Sequence, residues 1–366
     1  MVFSLPKINY IYYAYSNARV YGMKGLLLTK GDYAELVNLK SVDSIIEFLQ
    51  KTHYKSYLLD AVAKYEGSLL LESASSQHFA DIVRKLRKLT PKENKGVLEA
   101  ILVKWDLINL NLVVSSKRGS VSFNQIKPKI VPVGSIPVES LESIFNANEM
   151  DLINEIKKTE IGSEIFSKST YSLSKELLSR FKKASTSFDQ NTQVQILLDN
   201  YSYILMIDHL KPYLSEKDIK KVYNVIQKEI TKKDILIIER LKRSGIKSED
   251  EILPHMIQGG FLDPREKTQL ISSEKFEDSF PTIKKVFPSF KGENVSDMIS
   301  LETELQKAIS VEKIKMFHGS ILSIGTILGF LLIKEEEINN LRKIARAKEF
   351  GLSPKEIMDS LIFIGE

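Results

Sequence analysis

The chain's five histidines, His53, His78, His209, His255 and His318, are the side chains best suited to ligate a metal or carry a proton, yet their spacing supports neither. No His-x-x-x-His or comparable ligand pair occurs among them. Asp208 and His209 are neighbours, a combination that reads as a solvated or capping pair. Cysteine is absent, which excludes disulfides, thiolate zinc sites, iron–sulfur clusters and cysteine nucleophiles together and fits a reducing compartment. Neither a Gly-x-x-x-x-Gly-Lys-Ser/Thr phosphate loop nor a Gly-x-Ser-x-Gly nucleophile elbow is present. The turn Gln258-Gly259-Gly260-Phe261 has the glycines for a phosphate approach but is read more simply as the end of a helical unit. With 47 acidic residues, paired carboxylates of the hydrolytic kind remain an open alternative. The expectation is therefore no catalytic site, no cofactor and no metal.

Charge gives the partners little direction. The formal net charge is +5 over 366 residues, and Lys outnumbers Arg 42 to 10, whereas nucleic-acid readers rely on bidentate arginine. No nucleic-acid partner is expected. The opening Met1-Val-Phe-Ser-Leu-Pro-Lys7 lacks the basic start and small-residue cleavage site of a secretory leader. The longest apolar run, Ser320 to Ile333, is 14 residues, short of the ~20 that cross a bilayer. It runs into Lys334-Glu-Glu-Glu337 and reads as a buried helix emerging into solvent at those charges.

The elements that must hold any site are helices. Val42–Lys51, Asp81–Leu86 and Asp218–Lys228 each carry an apolar stripe at helical spacing. Leu69-Leu-Leu and Leu110-Asn-Leu-Val-Val look strand-like but lie between helical neighbours, so the fold class is all-α. Tyr10–Met23 is dense in tyrosine, with Ala14, Ala18 and Gly22 four apart, a spacing that predicts close packing of another helix with tyrosines at the rim.

A pattern recurs three times. Asp106, Asp234 and Glu337 each open an apolar stripe: Leu107, Leu110 and Val113; Ile235, Ile238 and Leu241; Ile338, Leu341 and Ile344. A glycine follows each stripe (Gly119, Gly245, Gly351), suited to the left-handed close of a helix. Then come capping boxes, Ser122/Gln125, Ser248/Glu251 and Ser353/Glu356, each followed by an isoleucine (Ile126, Ile252, Ile357) and, twelve residues after the serine, by Gly134, Gly260 or Gly365. Pro128 and Pro254 share an offset that Asp359 breaks. The anchors are too far apart for solenoid repeats of roughly 30–40 residues, so each unit is a small multi-helix module. The expected modules are 1–134, 135–262 and 263–366, with helices open to exchange between them, in a pseudo-three-fold arrangement closing into a bowl or funnel.

Three stretches carry a family resemblance. Tyr13-Ala-Tyr-Ser-Asn-Ala-Arg-Val-Tyr-Gly-Met-Lys-Gly-Leu-Leu27 resembles the opening signature of the C subunit of archaeal-type rotary ATP synthases, the counterpart of the vacuolar ATPase d subunit. Ile324–Ser353 resembles the family's Lys-Glu-x-Glu-x-x-Asn-Leu-Arg-x-Ile-x-Arg-x-Lys pattern, matching it at Lys334, Glu335, Glu337, Asn340, Leu341, Arg342, Ile344, Arg346 and Lys348. Glu47–Tyr54 resembles its Thr-x-Tyr segment. Tyr21 and Gly25 depart from the usual arginine and serine; Ser115 stands where the first module would match Arg346, and Ile237 where the second would match Asn340. Arg243 and Arg346 both follow their module's acid by nine residues.

The resemblance implies a non-catalytic, funnel-shaped rotor adaptor without cofactors. Its implied partners are central-stalk subunits and the proteolipid ring, reached peripherally on the cytoplasmic face of the membrane without spanning it. A central cavity would take the stalk, and a polar, Lys-rich rim would face the ring through modest, dispersed contacts. No individual interface residue is assigned. The alternative is an α-helical scaffold that binds other helices outside any rotary machine.

Overall fold

In a computed structural model of the chain, residues 9–117, 119, 121–148, 150–167, 190–214, 217–319 and 322–363 are described. Helix makes up 77% of the structure, and among the described residues there is no strand. Leu69–Leu71 and Leu110–Val114 lie inside the helices Gly67–Leu89 and Lys95–Ser116. The chain divides into two compact units. One gathers Met1–Leu98, Leu210–Val225 and Ile299–Glu366, the other Glu99–His209 and Ile226–Met298.

The core of the first unit draws on distant sequence. Ile45, Leu49, Tyr54, Leu58 and Leu71 pack with Leu341, Ile344 and Ile357. The helices that present them begin on side-chain caps. Thr29 and Asp32 form a reciprocal box at Lys30–Asn38 (Thr29 N–H to Asp32 Oδ2 2.7 Å, Asp32 N–H to Thr29 Oγ1 3.2 Å). Ser41 caps Val42–Leu49, and Ser323 caps the 26-residue helix Ile324–Glu349. Each cap satisfies an amide that a helix start leaves without a partner. In the second unit, Val103, Leu107 and Leu110 pack with Ile126, Leu141, Ile156 and Leu205.

A local motif recurs at the three places marked by the repeat. After each short turn the backbone is caught by a polar side chain of a long helix. Asn109 donates to the Val131 carbonyl (2.8 Å) and accepts from the Val131 amide (3.0 Å). Asn340 does the same to Ile362 (2.7 and 3.1 Å). At the second place, Asp234 Oδ1 accepts from the Ile257 amide at 2.7 Å. In the first two copies a second catch stands one helical turn earlier on the same helix. Asp106 receives the amides of Ser135 and Ile136, both at 2.8 Å, and Thr231 Oγ1 receives that of Phe261 at 2.8 Å. Gly134 and Gly260 allow this approach: a Cβ on either would lie 2.1 Å from Asp106 Oδ1 or 2.9 Å from Thr231 Oγ1.

These contacts shift the second copy by one turn from the alignment in sequence. Thr231, not Asp234, stands where Asp106 stands, and Asp234 occupies the asparagine's place. Gly365 lies outside the described residues. Ile126, Ile252 and Ile357, which follow the three boxes, are all buried. Of the helix-closing glycines, Gly245 (φ 88°) and Gly351 (φ 71°) are left-handed and carry matching double closures, Ile246 N–H to Leu241 O and Leu352 N–H to Ala347 O, both at 3.0 Å. Gly119 is not in that conformation. The boxes at Ser122 and Ser353 form, whereas the Ser248 side chain makes no cap, and its turn closes through the backbone.

The tyrosine-rich helix Asn9–Lys24 packs through another face than its small residues suggest. Tyr13 donates to Asn94 Oδ1 (2.9 Å), Ser16 to the Leu89 carbonyl (2.6 Å), and Val20 is fully buried. Ala14, Ala18, Gly22, Tyr12 and Tyr15 are exposed. The hydroxyl and amide side chains of Ser16 and Asn17 fix the rotation of the helix, because they are buried and must find polar partners.

Candidate functional site

Helix Ile324–Glu349 is apolar in its first ten residues, and its charges do not emerge into solvent as the run Lys334-Glu-Glu-Glu337 suggests. Lys334, Glu336 and Glu337 are all buried, as are Ile338, Asn340, Leu341 and Ile344 beyond them. Burial of these charges is tolerated because each meets an opposite charge or a hydrogen-bond donor.

Glu337 is the hub. Oε1 accepts from the Tyr54 hydroxyl at 2.6 Å and pairs with Lys334, while Oε2 accepts from the Leu28 amide at 2.7 Å. His53 Nε2 stands 3.8 Å away. Burial alone pushes the carboxyl up, but the Lys334 charge and the hydrogen bonds from Lys334 and Tyr54 outweigh it and hold Glu337 below the ordinary carboxylate range. Burial lowers the Lys334 ammonium, and Glu337 opposes the shift. Burial, and next the Glu337 charge, raise the Tyr54 phenol well above its usual value, so it remains a donor.

The remaining signature residues fasten other segments. Arg346 donates to Glu72 at 2.8 Å; Arg342 Nε lies 2.7 Å from Glu72 Oε2, an ion-pair contact too bent for a hydrogen bond, and its terminal nitrogen donates to Ser76 at 2.8 Å. Lys348 donates to the Val37 carbonyl at 2.6 Å. Asn340 holds Ile362, and Glu336, which stands between two signature positions, takes Lys313 at 2.7 Å together with Gln306. Leu341 and Ile344 fill the core. The signature thus binds Leu28, Val37, Tyr54, Glu72 and Ile362 to one helix. Its chemistry is that of fastening.

The histidines divide. His53 and His78, scattered in sequence, come together with ring centres 4.7 Å apart beside Tyr54. His209 meets Glu164 at 3.2 Å rather than acting with Asp208, and His318 packs on Phe317. Gly259 in the Gln258–Phe261 turn has φ 100°, and the turn is docked on the helix Lys217–Arg243 through Gln227 and Thr231. Among the described residues no group of three or more His, Asp or Glu is placed to hold a metal ion. Glu72 belongs to no motif of the sequence, although a lone Glu within the apolar Leu69–Ala74 segment is a signal for a buried, paired carboxylate. Two cavities flank the Lys334–Glu337 pair. One, of about 310 Å³, is bounded by Leu28, Tyr33, Glu337 and Asn340; the other, of about 150 Å³, lies on the Lys334 and histidine side.

Residues 16–360 match the family described as ATP synthase (C/AC39) subunit. The chain is 28% identical to the C subunit of the A-type ATP synthase of Methanosarcina mazei, covering 96% of this chain and 93% of that protein. It is 29% identical to the protein of the same description in Methanosarcina barkeri, with the same coverage. Against that of Archaeoglobus fulgidus it is 23% identical, with both chains covered in full.

Proposed function

The chain belongs to the ATP synthase (C/AC39) subunit family, and from that premise we propose that it is the rotor adaptor of an A-type ATP synthase. In this reading it is a structural subunit of the complex, without a catalytic site of its own. It joins the central stalk to the proteolipid ring on the cytoplasmic face of the membrane and passes torque between them during ATP synthesis or ion pumping. Three helical modules, 1–134, 135–262 and 263–366, surround the stalk as a funnel. No described helix is long and apolar enough to cross a membrane, which agrees with peripheral attachment.

The observation that carries the proposal is the inward direction of the family signature. A part that transmits torque must not shear between its own elements, and side chains that tie five distant segments to one 26-residue helix oppose such shear. Packed helices with paired buried charges supply stiffness because interiors at crystal-like density deform little. The test is assembly and coupling together. A tagged chain should recover stalk and ring subunits, and a complex prepared without it should hydrolyse ATP with ion pumping lost. Recovery of neither subunit, or full pumping in its absence, refutes the proposal.

A further inference from the structure

We infer that the outward face of helix Asn9–Lys24 is the seat for one helix of a central-stalk subunit, a helix that carries a carboxylate to meet Arg19. The inference rests on the adaptor reading for the identity of that partner. At about 100° per residue, the exposed positions Tyr12, Ala14, Tyr15, Ala18, Arg19 and Gly22 cover about half the circumference of the helix. Tyr12 and Tyr15 are 61% and 64% exposed, and Leu26, 58% exposed, extends the face past the helix end. Tyrosine and arginine together on one uncovered face are the residues that dominate binding at the centre of protein interfaces.

Two residues say what covers the face. Arg19 is the one charge among these exposed positions, and among the described residues it has no hydrogen-bond, ion-pair or ring partner. A lone guanidinium beside two exposed tyrosines is complementary to an acid supplied from outside. Gly22 is not left-handed, and a Cβ on it would meet nothing within 4 Å. Alanine would favour the helix there, so nothing within this chain calls for glycine. With Ala14 and Ala18, four and eight residues earlier, Gly22 forms a seam that lets a second helix come close. A second copy of this chain does not fit. Laid along Tyr12 to Leu26 in either direction, it sets Arg19 against Arg19, because residue 19 is the midpoint of that stretch. A lipid surface calls for several cations along the face, and this one has a single arginine. The rim expected to meet the ring is Lys-rich, and no lysine is among these exposed positions. A stalk helix can instead lie along the roughly 15 Å that separate Tyr12 from Gly22 at about 1.5 Å per residue.

The test uses the full chain in the assembled complex. Because the chain has no cysteine, Ala18→Cys supplies its sole thiol, which takes a benzophenone maleimide for photocrosslinking. The expected adduct lies in one helix of a stalk subunit, with an Asp or Glu within a turn of it. Gly22→Leu, pointing into open space, should melt at or slightly above the parent temperature yet lower recovery of stalk subunits by the tagged chain at least about tenfold. Arg19→Glu should lower that recovery at least about tenfold, and replacing the acid of the crosslinked helix by lysine should restore it. Adducts on this chain, on a second copy, on the ring or on lipid overturn the assignment, as does stalk recovery indifferent to either substitution; each of these leaves the adaptor reading standing. A parent chain that recovers neither stalk nor ring subunits refutes the adaptor reading itself, and the occupant with it.

Discussion

Replacing Asp234 by Asn should stabilise the second unit, and increasingly so as pH rises. Asp234 is fully buried; one oxygen accepts from Ile257 and the other, Oδ2, has no partner. Burial raises its pKa from 3.8 to about 7, against the weaker opposing pulls of the Ile257 amide and Lys267. The folded chain therefore keeps a proton that the unfolded chain releases near pH 4. Stability falls as pH climbs between those two values, and the full penalty stands above about pH 7. A shift of about three units at 1.36 kcal/mol each gives roughly 4 kcal/mol. Asparagine carries no such penalty and also supplies an N–H for the Ile257 carbonyl, as Asn109 and Asn340 do for Val131 and Ile362, worth about 1 kcal/mol. Trp105, the single tryptophan, is buried in the same unit, so its fluorescence in urea reports the transition. The expected gain is about 2–3 kcal/mol near pH 5, where part of the penalty already stands, rising to roughly 5 kcal/mol near pH 9. A gain that does not change with pH, or a less stable variant, refutes the reasoning.

Lys334→Met alone should cost about 3–5 kcal/mol, because it leaves the Glu337 charge buried without its cation; adding Glu337→Gln should recover part of that loss. Additive losses in thermal melts of the two single variants and the double would show that the pair is not coupled. Gly134→Ala should unfold or severely destabilise the second unit, since its Cβ would stand 2.1 Å from Asp106, whereas Gly245→Ala, with nothing within 4 Å, should cost only the ~1 kcal/mol of an unfavourable backbone. Equal melting temperatures for these two variants would contradict the packing described.

The sequence made the all-α class and the helix positions legible because the apolar stripes are long and caps such as Ser353 stand at their mouths. Register was less legible. In the second copy Ile235, Ile238 and Leu241 fall three apart, so sliding the stripe by one turn leaves an apolar face much as before. Only the contacts to Ile257 and Phe261 decide between the alternatives. Lys334 and Glu337 read as solvent charges because their partners His53 and Tyr54 are 280 or more residues away along the chain. The small-residue stripe at Ala14, Ala18 and Gly22 misled for the opposite reason. Small side chains allow an approach but do not demand one, while the neighbouring Ser16 and Asn17 demand polar partners.

The direction of the signature side chains has an evolutionary consequence. The letters by which this chain is recognisable are those of its skeleton, and a skeleton is under the same constraint whatever it is bolted to. Outer positions beyond those stretches, such as Tyr12, Leu59 and Ile299, are free of that constraint and can drift with the partners of each lineage. A chimera carrying this chain's interior and the exterior of the Methanosarcina mazei relative should therefore fold like the first and assemble like the second.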